Sequence, residues 1–312
     1  QLLSYVGEQQ WLTENGQFNR LQMAQDVAGV LGSCAMVRKS AVVAGGGWDE
    51  TNARVFTTMA DLGYRLTDAG WRLVWTPAAS MLHAGGATRQ SVRRHQQIDA
   101  ALTQQHLNER DALGQRWLGR APGRDLYSRH LSGHSPYRLD AELVVDWEPA
   151  RHDRPRAIAQ PISSGSGQYR VVEPLDWLQH ESKAETCLVN PVGKQARRLL
   201  TPLDIARAKP DRVLLQHSIG DADIASMRAI RAQCPGTFII QLMDDLSSDL
   251  PRSHPAYVQG QRESHGRTLE ALSLSDRLLV STQPLADYYQ AFCADVRVVP
   301  NALDARAWGG FF

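Results

Sequence analysis

The chain has 312 residues, enough for two domains of ordinary size. With 43% hydrophobic and 21% charged residues and a mean hydropathy of −0.36, its composition excludes disordered and fibrous classes, and no apolar run reaches the ~18 residues that span a bilayer. Lys and Arg (34) against Asp and Glu (33) leave a net charge of +1, so no global field draws nucleic acid or an anionic membrane.

In chain order, residues 1–92 are apolar and punctuated by glycine. A short apolar run predicts a strand at 34–38. Gly45, Gly46 and Gly47 predict a turn with positive φ available. A helix is expected over 57–69, stopped by Gly70 just past its end. Strands follow at 71–75, ended by Pro77, and at 81–83, ended by glycines. Residues 93–155 are polar: a proline-free stretch at 91–114 predicts a helix, and turns follow at 121–123 and 133–136. The arginines of this region are balanced by acids, which reads as a solvated linking segment rather than a basic binding arm.

From 156 to 312 short apolar runs alternate with amphipathic stretches. The runs at 157–161, 186–189, 212–216, 237–243, 277–281 and 296–300 fit strands buried on both faces of a parallel sheet. Helical patterns at 169–180, 223–233, 256–274 and 284–292 separate them, which predicts one doubly wound α/β domain. The four cysteines, Cys34, Cys187, Cys234 and Cys293, are widely spaced and contain no CxxC pair, so reduced core residues are expected rather than a zinc site or disulfides. With no leader pattern, a cytoplasmic location is expected.

The first region carries a resemblance. Val37-Arg38-Lys39-Ser40, Gly46-Gly47-Trp48-Asp49-Glu50, Ala60-Asp61-Leu62-Gly63-Tyr64-Arg65-Leu66, Arg72-Leu73-Val74-Trp75-Thr76-Pro77 and His83 follow the order "VRRS", "GGFDE", "DVDLCLRLREAG", "YRVVYTP" and "HHES". That order resembles the C-terminal part of family-two GT-A glycosyltransferases of bacterial polysaccharide synthesis. The resemblance implies inversion with a divalent metal, Mg or Mn, and His83 as a ligand near the donor diphosphate. Asp61, Asp49 and Glu50 are the catalytic carboxylates it implies. One departure stands out, because Met59 holds the position of the general base and a thioether cannot take a proton. Asp61 also reads as a helix N-terminal acid complementing the dipole, and His83 also reads as a structural histidine.

In the last region the loop Ser163-Ser164-Gly165-Ser166-Gly167 after the first strand invites a nucleotide reading. It lacks the third glycine of GxGxxG, and no acid ends the second strand, which disfavours an oxidoreductase. "MDDL" at 243–246, "VSTQPLA" at 280–286 and "VVPNALD" at 298–304 resemble the N-terminal domain of family-four GT-B glycosyltransferases. That resemblance implies transfer with retention and no metal. Gly165 and Gly167 would face the cleft holding the sugar donor, His217, Asp244 and Asp245 would line the acceptor side, and Asn301 would mark the crossing to a second domain. On the residues alone, Asp244 and Asp245 also read as caps, His217 as a hydrogen-bonded strand end, and Asn301 as a turn residue.

Taken together, the fold class expected is α/β: a partial GT-A domain at 1–92, a helical linker at 93–155 and a Rossmann-like half of a GT-B enzyme at 156–312. The function implied is transfer of a sugar from a nucleotide-sugar donor to a glycan or lipid-linked glycan in surface polysaccharide synthesis, at the cytoplasm or the inner face of the membrane, without nucleic acid. A non-catalytic carbohydrate-binding or scaffolding segment is the alternative. The chain starts at Gln1 without methionine and is expected to be a piece of a longer enzyme, inactive by itself.

Overall fold

The computed structural model describes residues 14–80, 96–119, 128, 130–133, 138–150, 153–189, 198–246, 253, 261–302 and 304–310. The chain forms two compact units, Gln1–Pro136 and Tyr137–Phe312.

In the first unit a two-stranded antiparallel ladder pairs β1 (Gln25–Asp26) with β2 (Val74–Trp75). The stretch expected as a strand at 34–38 is not one. A 3-10 turn, Gly32–Cys34, precedes it, and Lys39 opens the short helix α1 (Lys39–Ala44). Among the described residues no strand pairs with this segment, and its apolar residues pack as single contacts instead: Val37 joins Ala41, Leu62, Leu66 and Leu73. Helix α2 (Thr58–Asp68) lies where the pattern put it. It ends at Gly70 with φ 84°, where Trp71 N–H reaches back to Leu66 O at 2.9 Å, so the left-handed turn closes the helix.

Helix α3 (Gln96–Trp117) belongs to this unit and is not a solvated linker. Trp117 stacks on Tyr64 of α2 with ring centroids 5.3 Å apart, and both rings are buried. Residues 138–150 of the expected linker belong to the second unit, where Leu143 and Trp147 join its core and Trp147 Nε1 donates to Ala208 O at 2.8 Å. The boundary therefore falls inside 93–155 rather than at its ends.

The second unit holds six parallel strands: β3 (Arg156–Gln160), β4 (Glu185–Leu188), β5 (Arg212–Gln216), β6 (Phe238–Met243), β7 (Arg277–Val280) and β8 (Val296–Val298). Their order is β4-β3-β5-β6-β7-β8. All six expected runs became strands. The reason is visible in the packing: Ile158, Val213, Leu215 and Ile239 face one apolar layer, while Ala157, Ala159 and Leu242 face the other. The helices are α4 (Glu173–His180), α5 (Pro202–Ala208), α6 (Asp221–Gln233), α7 (Gln261–Ser273), α8 (Gln283–Tyr289) and α9 (Ala305–Trp308). A helical turn, Gly165–Gly167, and a π-helical segment, Gln168–Val172, run without a break into α4. Helix α5 was not anticipated, although Thr201 and Asp204 form a capping box around Pro202. Among the cysteines, Cys187 and Cys293 are buried as expected and Cys34 is exposed.

Candidate functional site

The chain passes from β3 to the outer strand β4 and then crosses back to β5 on the other side. At such a reversal the loops leaving β3 and β5 diverge, and a crevice opens at the carboxyl ends of the strands. The loops of Gly165, His217 and Asp244 all leave that rim, since they follow β3, β5 and β6.

The side chains are joined there. Gln216, the last residue of β5, is 1% exposed. It accepts from Ile162 N–H at 3.2 Å and donates from Nε2 to Ser166 Oγ at 3.0 Å, which fixes the glycine-containing loop against the sheet. The next residue, His217, has φ 46°, a left-handed conformation uncommon outside glycine. That turn brings its Nε2 to 2.5 Å from Asp244 Oδ1. Burial pushes the Asp244 carboxyl up, but hydrogen bonds from His217 and Ser166 outweigh it and hold the group below its ordinary value. Ser281, at the end of β7, donates to Asp244 O at 3.2 Å. The result is a preorganised imidazole–carboxylate pair with hydroxyl and amide neighbours, able to accept or donate a proton at a sugar-like hydroxyl.

The other residues expected here divide. Gly167 is forced by sterics, because a Cβ would lie 1.9 Å from Ile162 O, while one at Gly165 would meet nothing within 4 Å. Only Gly165 therefore faces open space. Asp245 is exposed. Asn301 is also exposed, and its Oδ1 accepts from Arg170 Nη1. Arg170 itself was missed by the sequence reading, as were Ser166 and Gln216. The available signals were a polar residue closing an apolar strand and a base four residues after Ser166, on the same helical face.

In the first unit the expected carboxylates are engaged in structure. Asp61 is 1% exposed; its oxygens accept from Arg65 Nε at 2.7 Å and Trp117 Nε1 at 2.8 Å, with Arg116 Nη1 at 3.1 Å. Asp49 accepts from the backbone of Thr51 and Asn52 and pairs with the same Arg116 at 3.1 Å. The Asn52 hydrogen bond leads in holding the Asp49 carboxyl below its ordinary value. Glu50 is exposed. Met59 packs against Gly32, with its Cγ 2.9 Å from where a Cβ there would stand. His83 lies outside the described residues.

These donors do not fit a divalent ion. Among the described residues no three His, Cys, Asp or Glu side chains converge on one point, and a guanidinium already neutralises Asp49 and Asp61 together. Thiol chemistry is disfavoured at Cys187 and Cys234, where burial pushes the thiols up to about 12 and about 11. Among the described residues no helix is long and apolar enough to cross a membrane.

Over 76 residues the chain is 45% identical to the N-acetylglucosaminyl-diphospho-decaprenol L-rhamnosyltransferase of Mycobacterium tuberculosis, in strains CDC 1551 / Oshkosh and H37Rv alike; this covers 23% of the chain and 24% of each relative. Over 87 residues it is 32% identical to the uncharacterized protein y4gI of Sinorhizobium fredii, covering 28% of the chain and 9% of that protein. The chain thus spans about a quarter of the length of the rhamnosyltransferases it matches. No family model and no solved structure matches it.

Proposed function

We propose that the chain is part of a bacterial glycosyltransferase that moves a sugar from a nucleotide-activated donor to a glycan or lipid-linked glycan acceptor in surface polysaccharide assembly. The observation that carries this reading is the 45% identity to a rhamnosyltransferase whose acceptor is a sugar on a diphosphate lipid. The rim of the second unit supplies chemistry of the same kind: a hydrogen-bonded imidazole–carboxylate pair, an open glycine and neutral amides suit a hydroxyl-rich ligand at the crevice of a parallel sheet. Under this reading the first unit is the C-terminal part of a GT-A domain and the second the N-terminal half of a GT-B enzyme, working in the cytoplasm or at the inner face of the membrane. A divalent metal serving the first unit would be held by residues other than Asp49 and Asp61.

A second reading, a carbohydrate-binding or scaffolding role without catalysis in the first unit, is favoured by Met59 at the base position and by the complete engagement of Asp61. One experiment separates them. The full-length protein is incubated with radiolabelled dTDP-, UDP- and GDP-sugars and an N-acetylglucosaminyl-diphospho-polyprenol, and transfer is followed by thin-layer chromatography. Label on the lipid that falls at least tenfold in the His217→Ala variant is expected. No transfer, together with saturable binding of the glycolipid, establishes the scaffolding role; neither transfer nor binding overturns both.

A further inference from the structure

Strand β4 is the outermost of the sheet and is bonded to β3 alone. Glu185 N–H donates to Pro155 O at 2.8 Å and Val189 N–H to Ala159 O at 2.8 Å, so the odd-numbered residues of this stretch turn their peptide groups inward. Those of Thr186 and Leu188 face outward, because the direction alternates along a strand. Among the described residues no strand pairs with them. Two adjoining hollows of about 150 and 300 Å³ run along this edge and share Gln179 and Thr186. The edge of β4 is thus the floor of a groove.

The two walls of the groove differ. Side chains alternate across a sheet: Cys187 belongs to the layer of Ile158 and Val213, whereas Leu188 packs in the layer of Leu175. Glu185 shares the side of Cys187, and there Glu142 and Asp146 line the groove, on the segment whose Val144 O accepts from Cys187 Sγ at 3.0 Å. Among the described residues no cation pairs with any of these three acids. On the other side Thr186 Oγ1 is held by Gln179 Oε1 at 2.6 Å, and Val172, Leu175 and Leu188 form an apolar wall. Asp176, on that wall, is already paired with Arg306 at 3.2 Å, and Arg154 lines only the smaller hollow.

We propose that the free edge of β4 is a docking site for an extended peptide that adds as a further strand, its basic side chains toward Glu142, Asp146 and Glu185 and its apolar ones toward Val172, Leu175 and Leu188. Backbone hydrogen bonds to Thr186 and Leu188 supply the pairing, and the unlike walls select a sequence in which basic and apolar residues alternate; a slip by one residue puts every side chain against the wrong wall. A second copy of this chain is the poorer occupant, since β4 paired with itself about a two-fold axis sets the acids of both copies side by side. The groove uses none of the rim residues and stands whether or not the protein transfers sugar.

The probe is a synthetic peptide, acetyl-Lys-Val-Lys-Val-Lys-Val-amide, titrated into the full chain while hydrogen exchange is read at the amides of Thr186 and Leu188. The amide of Ile158, 0% exposed, reports global unfolding and serves as the reference. Relative to Ile158, saturating peptide is expected to slow exchange at both amides about tenfold, and Glu142→Gln combined with Glu185→Gln to weaken binding about fivefold at low ionic strength. Two control peptides are expected to protect neither amide: one with glutamate in place of lysine, and the lysine peptide methylated at every peptide nitrogen. Unchanged exchange with the lysine peptide, or equal protection by either control, overturns the proposal. Protection of Thr186 and Leu188 without peptide, in a chain that sediments as a dimer, overturns it in favour of self-pairing.

Discussion

His217 Nε2 stands 2.5 Å from Asp244 Oδ1, across neighbouring parallel strands, and the pair exists because one backbone residue turns left-handed. His217 N–H still donates to Leu242 O at 3.0 Å, so the ladder between β5 and β6 continues one residue past β5 before the chain turns. The imidazole is thus delivered to the end of β6 rather than out over the loop. A non-glycine residue in this region of φ and ψ is tolerated at a cost of order 1 kcal/mol, and here the hydrogen bond to a carboxylate, worth about 1.5–3 kcal/mol, offsets it.

A pH dependence follows from that pair. Asp244 is buried, which raises its pKa, yet the hydrogen bonds from His217 and Ser166 leave it below the ordinary 3.8. A carboxyl whose folded value is depressed contributes stability above its unfolded value, and the contribution is lost as pH falls through the folded one. Asp244→Asn should therefore lower the urea midpoint of the second unit at pH 7 by the equivalent of about 1.5–3 kcal/mol. Below pH 3.8 the gap between variant and parent should narrow. Parallel curves from pH 7 into acid would show that the carboxylate's charge contributes nothing to folding.

The two glycines of the rim loop separate structure from ligand contact. Gly167→Ala puts a methyl 1.9 Å from Ile162 O, backbone against backbone with no flexible side chain to yield, and should destabilise the second unit by about 3 kcal/mol. Gly165→Ala meets open space in a helical turn and should change stability by less than about 0.5 kcal/mol. Thermal melts of the two variants measure both. A lowered melting temperature for Gly165→Ala would mean that the loop packs more closely than its geometry shows.

The second unit was legible in the sequence because its strands are buried on both faces, and burial writes itself as runs of Val, Ile and Leu bounded by turn residues. Histidine and aspartate at the ends of two such runs pointed to the rim for the same reason. Contacts between distant residues left no local trace. Helix α3 looked like a linker because its partners are distant in sequence: Glu109 and Trp117 meet residues more than 50 positions away. Arg170 was similarly silent, since its partners Val299 and Asn301 lie about 130 positions downstream. The strand expected at 34–38 failed for the complementary reason, an apolar run with no neighbour to pair with among the described residues.

Glu109 deserves its own test as the buried acid that holds α3 to α2. Its carboxylate accepts from three successive N–H groups, those of Val55, Phe56 and Thr57, the last being the N-cap of α2. Burial raises its pKa, but these bonds and one from Gln105 hold it below the ordinary 4.5. Glu109→Ala leaves three donors without their acceptor and should cost the first unit about 2–4 kcal/mol; Glu109→Gln, which keeps one acceptor oxygen, should cost less. Denaturation followed by tryptophan fluorescence measures both, and equal losses would show that the carboxylate's charge, which both variants lack, carries the whole effect.

Asp61 and Met59 decide whether the first unit can act as a base. Both Asp61 oxygens accept from Arg65, Trp117 or Arg116, and the residue is 1% exposed, so its carboxylate is engaged in the packing of the first unit. Its loss should be structural: Asp61→Asn keeps a carbonyl for the Trp117 indole but strands Arg65, which is 12% exposed, and should cost about 2–4 kcal/mol. Met59 sits two residues earlier in the first turn of α2, half-buried against Gly32. Replacing it by aspartate shortens the side chain and opens the space it filled beside Gly32. If the first unit lacks only its base, Met59→Asp in the full-length protein should raise sugar transfer by on the order of 10²-fold, the lower range for positioned general-base catalysis. Transfer already fast with methionine, and unchanged or slowed by the substitution, would assign the proton to another group, with Glu50 the exposed candidate. Transfer absent in both forms would leave the unit a scaffold, its carboxylates serving only to fasten α3 to α2.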